Sequence, residues 1–329
     1  MIDRASLLVA DLERIPGLLR AHMAPGPIRP VGSPAGTLRR IVLTGLGSSR
    51  CAALAAAPLL RGAGLEVTVE HASVARPTPV GRDALVVAIS ASGRTPETIA
   101  AVTRARSAGA RTLAITNRLA SPLTAASDVV LDLGAGDEAS GIASLTHAAT
   151  LATLVRLAAG LGADVDPAAA LGSAADAAER LLETRPAWLV PAAAALDGSD
   201  AVHVIADADA LGTAEQAALL LREGPRLLAD ATDAGDWLHV GIYTALPGYR
   251  ALLLAGTAYD AELVAVIAGR GGRLVAIGRP VDGAAASIRL WGAAESDPLA
   301  RAFVEALASA LLAAELWRRT GARDLSAPA

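Results

Sequence analysis

The 329-residue sequence contains no lysine, and all 29 of its Lys and Arg positions are arginine. No side chain of this chain can therefore form an imine with a carbonyl substrate. Cysteine is nearly absent too. Cys51 stands alone, which excludes an internal disulfide and any multi-cysteine metal site. Aromatic residues make up only 2% of the chain, so helices and sheets must pack through small aliphatic side chains. No apolar run approaches the ~18 residues of a membrane-spanning helix. The first twenty residues, MIDRASLLVADLERIPGLLR, carry Asp3 and Asp11 and read as an amphipathic helix, not a secretory signal. The formal charge is −4 and there is no basic run, which argues against nucleic acid as a partner. A cytoplasmic protein needing neither metal nor cofactor is the expectation, with no membrane partner.

Apolar residues are 53% of the chain, enough for a sizeable core. From about residue 38, short β-branched or apolar runs alternate with longer Ala/Leu-rich segments. IVLTG (41–45), LEVTVE (65–70), ALVVAIS (84–90), ARTLAIT (110–116) and DVVLDL (128–133) read as strands. SSRCAALAAAPLLRGAG (48–64), TPETIAAVTRARSAG (95–109) and residues 142–162 read as helices. This βαβ rhythm predicts a parallel sheet with helices on both faces. Residues 163–198 are Ala-rich and helical, punctuated by Pro167, Pro186 and Pro191. Strands then resume at AVHVIA (201–206), RALLLAG (250–256), RLVAIG (273–278) and SIRLW (287–291), with helices at 213–223, 260–272 and 298–319. The stretch 84–116 is echoed in pattern by 251–278, which suggests a duplicated α/β unit. The echo lacks serine: where the first copy has Ser90-Ala91-Ser92-Gly93-Arg94-Thr95, the second has Gly256-Thr257-Ala258-Tyr259.

Three hydroxyl-rich loops follow predicted strands or open predicted helices: Gly45-Leu46-Gly47-Ser48-Ser49, Ser90 to Thr95, and Gly141-Ile142-Ala143-Ser144. Open α/β sheets bind ligands outside the carboxyl ends of their strands. Helix N-termini present unpaired N–H groups that suit phosphate, and serine, threonine and glycine add donors and close backbone approach. Taken singly, Thr95 ahead of Pro96 is also an ordinary helix cap. The recurrence of the pattern favours a phosphate-bearing ligand. Gly45 and Gly47, with Glu70 on the next strand, imitate a dinucleotide fingerprint, but Arg50 takes its third glycine position.

These residues together resemble the SIS (sugar isomerase) domain family, in the double-SIS arrangement of the isomerase half of glucosamine-6-phosphate synthase. SASGRTPET is similar to the family's phosphate loop, and GLGSS and GIASLTHAAT to its other two loops. The resemblance implies two flavodoxin-like three-layer α/β/α lobes with parallel sheets. Residues 1–37 would form an N-terminal helical segment, 38–165 the first lobe, 166–198 a helical linker and 199–329 the second lobe. It implies a phosphorylated sugar or amino sugar held by Gly47, Ser48, Ser49, Ser90, Ser92, Gly93, Thr95, Ala143 and Ser144. LLLREGPRLLADATDAGDWLHVG (219–241) places Glu223 on the family's isomerisation base and His239 on a ring-opening histidine supplied across a homodimer. The implied reaction is aldose–ketose isomerisation, or a linked deamination or deglycation. The family's catalytic lysine tail is not expected in TGARDLSAPA, nor is a glutaminase domain. That leaves a non-catalytic phosphosugar-binding or regulatory protein as the alternative.

Overall fold

A computed structural model describes residues 3–24, 28 and 38–320. Most of the stretch 25–37 and all of 321–329, including the end of TGARDLSAPA, lie outside the described residues. The chain divides into two compact units. One comprises residues 17–137 and 145–172, the other residues 1–16, 138–144 and 173–329.

The first unit holds β1 (Arg40–Gly45), β2 (Glu66–His71), β3 (Ala84–Ile89), β4 (Arg111–Thr116) and β5 (Val129–Asp132). All pair in parallel, in the order β2-β1-β3-β4-β5. The second holds β6 (Ala201–Ala206), β7 (Leu228–Asp233), β8 (Arg250–Leu254), β9 (Arg273–Gly278) and β10 (Ala286–Arg289), also all parallel, in the order β7-β6-β8-β9-β10. Renumbered from each lobe's first strand, both orders are 2-1-3-4-5, the doubly-wound pattern whose ligand crevice lies between its first and third strands. Each central strand is buried along almost its whole length, as parallel strands covered on both faces must be. The echo in the sequence is thus a structural repeat: β3 and β4 hold the same places in one sheet as β8 and β9 in the other.

The helices are α1 (Arg4–Leu12), α2 (Ile15–Ala21), α3 (Ser48–Gly62), α4 (Pro96–Ser107), α5 (Pro122–Ala126), α6 (Leu145–Gly160), α7 (Pro167–Leu196), α8 (Leu211–Glu223), α9 (Ala234–His239), α10 (Asp260–Gly269) and α11 (Pro298–Thr320). None is long and apolar enough to cross a membrane.

The single amphipathic helix expected at the N-terminus is two. Pro16 lies in the first turn of α2, where a missing N–H is tolerated, but its ring does not permit a continuous helix from α1. Conversely, Pro186 and Pro191 do not punctuate α7, which runs through both. Interior proline costs a helix about 3 kcal/mol, and here Leu171, Leu181, Trp188, Ala192 and Leu196 bury a face that offsets it.

α11 carries a carboxylate in its buried core. Glu305 is 2% exposed and pairs with Arg301 one turn earlier at 2.9 Å. Burial pushes its carboxyl up to about 7, against the pull of Arg301. The folded chain therefore holds this proton more tightly than the unfolded chain, where the ordinary value is 4.5. Its stabilising contribution is complete below pH 4.5 and declines as pH rises towards 7. The decline is at most about 3 kcal/mol at 1.36 kcal/mol per pH unit. Glu305→Gln should flatten that slope in denaturant titrations run between pH 5 and pH 8.

Candidate functional site

In the first unit the site is built at the carboxyl ends of β1 and β3, the neighbouring strands that flank the switch point. β1 ends in Gly45, and Gly47 turns the chain at φ 53° to start α3. A Cβ on Gly45 would stand 3.1 Å from both the Ile89 carbonyl oxygen and the Ser49 side chain, so the two loops lie against each other. α3 begins without a side-chain cap. The Ser48 carbonyl lies 3.3 Å from Nδ1 of His147 on α6. Burial pushes that imidazole down to about 4, so it is neutral near pH 7 and donates Nδ1–H to the carbonyl. His147 thus anchors a backbone turn of the candidate site.

The second loop decides between a helix cap and an anion grip. Thr95 occupies the cap position of α4 in extended conformation, yet makes no side-chain cap hydrogen bond. Its hydroxyl is 2.9 Å from the buried Ser90 hydroxyl, which is 3.5 Å from that of Ser92. Ser92 Oγ also accepts from the Arg94 N–H at 3.3 Å. Three hydroxyls therefore face one another, and the first turn of α4 has no side-chain acceptor from Thr95. Gly93 makes the fold of the loop possible. It sits at φ 62°, and a Cβ there would meet Ser121 Oγ at 2.2 Å. Because Thr95 does not cap, removing both members of its hydrogen bond in Ser90→Ala/Thr95→Ala should leave stability within roughly 0.5 kcal/mol of wild type in urea denaturation, against the ~1 kcal/mol usual for losing a threonine cap.

The other unit contains the third loop and both candidate catalytic residues. Residues 142–144, expected inside the long helix, precede it, because α6 starts only at Leu145. The loop is tied down by buried Asp11 of α1, which accepts from Ala139 N, Ser140 N and Ser140 Oγ at 3.1, 2.9 and 2.8 Å. Gln216 of α8 donates Nε2–H to the Ala143 carbonyl at 3.1 Å. The Glu138 carboxylate accepts from the Ser144 N–H. Ser144 Oγ and Gln216 Oε1 are both buried without a hydrogen-bond partner. Such orphaned polar atoms are costly unless something meets them. Glu223 is the last residue of α8. It sits on the exposed rim of that helix end, yet the surrounding protein raises its carboxyl above the ordinary range. Arg222 opposes the rise and Glu138 adds to it. His239 ends the short helix α9 and is exposed.

Sequence reasoning missed Glu138, which links the third loop to the electrostatics of Glu223. It lies after β5 in an acidic, glycine-containing stretch that carries no motif. Leu228–Asp233 was also not read as a strand. LADATD has almost no β-branched residues and forms an edge of the sheet, where one flank is unpaired.

Two parallel 2-1-3-4-5 sheets, the first with hydroxyl loops at its strand ends, make two three-layer α/β/α lobes of the SIS type of fold. Residues 38–161 match the SIS domain family model, and this part of the chain is an SIS domain. The chain is 33% identical over 246 residues to glutamine–fructose-6-phosphate aminotransferase (isomerizing) of Aeropyrum pernix, a match covering 70% of this chain and 39% of the relative. It thus spans well under half of that relative's length. Its fold is similar to the C-terminal domain of glucosamine-fructose-6-phosphate aminotransferase from Francisella tularensis, with a TM-score of 0.80 and 16% identity over 95% of this chain and 96% of that one. It is likewise similar to tagatose-6-phosphate ketose/aldose isomerase from Escherichia coli, with a TM-score of 0.79 and 17% identity over 97% and 95% of the two chains.

Proposed function

We propose that the chain binds a phosphorylated sugar or amino sugar and moves a proton between its adjacent carbons, interconverting aldose and ketose. The observation that carries the reading is the Thr95 hydroxyl, turned from its own helix onto Ser90. A cap that does not cap is best explained by a ligand that accepts in its place. In this reading Ser90, Ser92 and Thr95 donate hydroxyl hydrogens to phosphate, and Gly47, Ser48 and Ser49 offer backbone N–H groups, while Gly93, whose own N–H donates to the Ser90 carbonyl at 3.0 Å, sets the turn of the loop. Ala143 and Ser144 belong to the sugar site, where the orphaned Ser144 hydroxyl finds its partner.

Glu223 is the base that takes a proton from one carbon and returns it to the next through an enediol. Its raised carboxyl suits that task, because a base works best with an affinity for protons near the working pH. His239 assists ring opening, provided by the neighbouring copy in a homodimer. With an amine on the substrate, the same proton transfer gives an imine at the carbon that bears it, and water hydrolyses the imine to the carbonyl and free amine, which is deamination or deglycation without an enzyme lysine.

The test is exchange of the C1 hydrogens of fructose 6-phosphate and of the C2 hydrogen of glucosamine 6-phosphate in deuterated water, followed by NMR. Solvent exchange at either carbon supports the reading. Saturable binding with no exchange at any pH would establish the non-catalytic alternative instead.

A further inference from the structure

We propose that the second lobe carries an anion site of its own, a pocket in which Arg279, Arg289 and Arg301 take a dianionic phosphate monoester. It is separate from the serine loops and does not depend on the reading of them as a sugar-phosphate site.

The starting point is the loop between β8 and α10, the structural counterpart of the Ser90–Thr95 loop. Its donors are already in use. Asp260, 2% exposed, accepts from Gly256 N at 2.8 Å, Thr257 N at 3.0 Å and Thr257 Oγ1 at 2.8 Å. An internal carboxylate thus holds the place that an external anion would take, which accounts for the absence of serine from this loop. Asp260 also draws in Arg279, whose Nε donates to it at 3.0 Å.

Beside this filled loop lies a cavity of about 330 Å³ lined by the three arginines, with Glu295 as its one acidic residue. It stands where β8, β9 and β10 end, the edge at which open parallel sheets bind ligands. The backbone is shaped to admit Arg301. Gly256 and Gly278 have φ of 141° and 123°, and a Cβ on Gly256 would sit 2.5 Å from Arg301 Nη1. Arg301 is held by Glu305 and by the Ala255 carbonyl. Arg289 lies over the Trp291 ring, 4.1 Å from its centroid, which fixes the guanidinium without using its in-plane donors. Its pairing with Glu295 is long, at 3.6 Å, beyond hydrogen-bond reach.

Near neutrality the Glu305 carboxyl is only partly ionised, so Arg301 is incompletely balanced. The cavity lies at the lower end of the roughly 300–1,000 Å³ of small-molecule sites, larger than a bare phosphate needs. Arginine forks suit phosphate oxygens, and this chain has no lysine to do the work.

The experiment is calorimetric titration of the full chain with inorganic phosphate and, separately, fructose 6-phosphate. The variants are S90A/T95A, R279Q/R289Q and all four substitutions together. The S90A/T95A chain isolates the arginine pocket whatever the fate of the first lobe. It should still bind fructose 6-phosphate, at least as tightly as phosphate and with a strong dependence on salt. Adding R279Q/R289Q should weaken that binding by about tenfold or more. Should the four-fold variant fold poorly, R289Q in the S90A/T95A background is read the same way, with Trp fluorescence reporting Trp291. Loss of all binding in S90A/T95A, or residual binding untouched by R289Q, would overturn the site. Binding of phosphate alone would overturn the monoester assignment.

Discussion

Replacing Ser90 and Thr95 together by alanine should weaken phosphosugar binding at the first lobe's hydroxyl loops, read in the R279Q/R289Q background, by about a hundredfold or more while leaving the fold intact. Hydrogen bonds to a charged partner contribute roughly 1.5–3 kcal/mol each, and each tenfold in affinity corresponds to about 1.4 kcal/mol. Two such bonds therefore reach the hundredfold range. The double variant is also the clean one. The two hydroxyls bond each other at 2.9 Å, so removing both leaves neither unpaired, whereas Thr95→Ala alone strands the buried Ser90 hydroxyl. Gly93 is left in place, so the loop keeps its turn against Ser121. Calorimetric titration with fructose 6-phosphate measures the effect, and a urea melt checks the fold. Unchanged affinity in a normally stable variant would reject the hydroxyls as the phosphate grip.

How far the sequence discloses this molecule depends on how local the cause of each feature is. AVHVIA and RLVAIG coincide with β6 and β9 to the residue, because an apolar run between turns is a local signal. The duplication is visible for the same reason, since matching rhythm at 84–116 and 251–278 needs no tertiary knowledge. What remained hidden is set by contacts distant in the chain. α7 passes through two prolines because of what its face buries. α1 is fastened by Asp11 to a loop more than a hundred residues away. The serine-free loop is legible as a difference, but its cause lies in where a side chain points: Asp260 folds back onto the N–H groups of Gly256 and Thr257. Thr95 is the sharpest case. Its sequence context is that of a helix cap, and only its hydroxyl geometry separates that from an anion grip.

Glu223→Gln should abolish hydrogen exchange at the substrate carbons while sparing phosphosugar affinity. General-base catalysis contributes about 10²–10⁴-fold, and an amide of the same shape cannot accept the proton. A fall of that size in exchange, with the dissociation constant unchanged, would separate chemistry from binding. The pH profile adds a readout that a merely structural role would not move. Exchange requires ionised Glu223, so its rate should fall on the acidic side through that carboxyl's raised value. Part of the rise comes from the negative charge of Glu138. Glu138→Gln retains an oxygen to accept from the Ser144 N–H but loses the charge, so the acidic limb should move to lower pH. Wild-type exchange with an acidic limb unmoved by Glu138→Gln would leave Glu223 without the role of base, and undiminished exchange in Glu223→Gln would reject it outright. The two variants lie at the two ends of one electrostatic link, and together they locate the proton that moves.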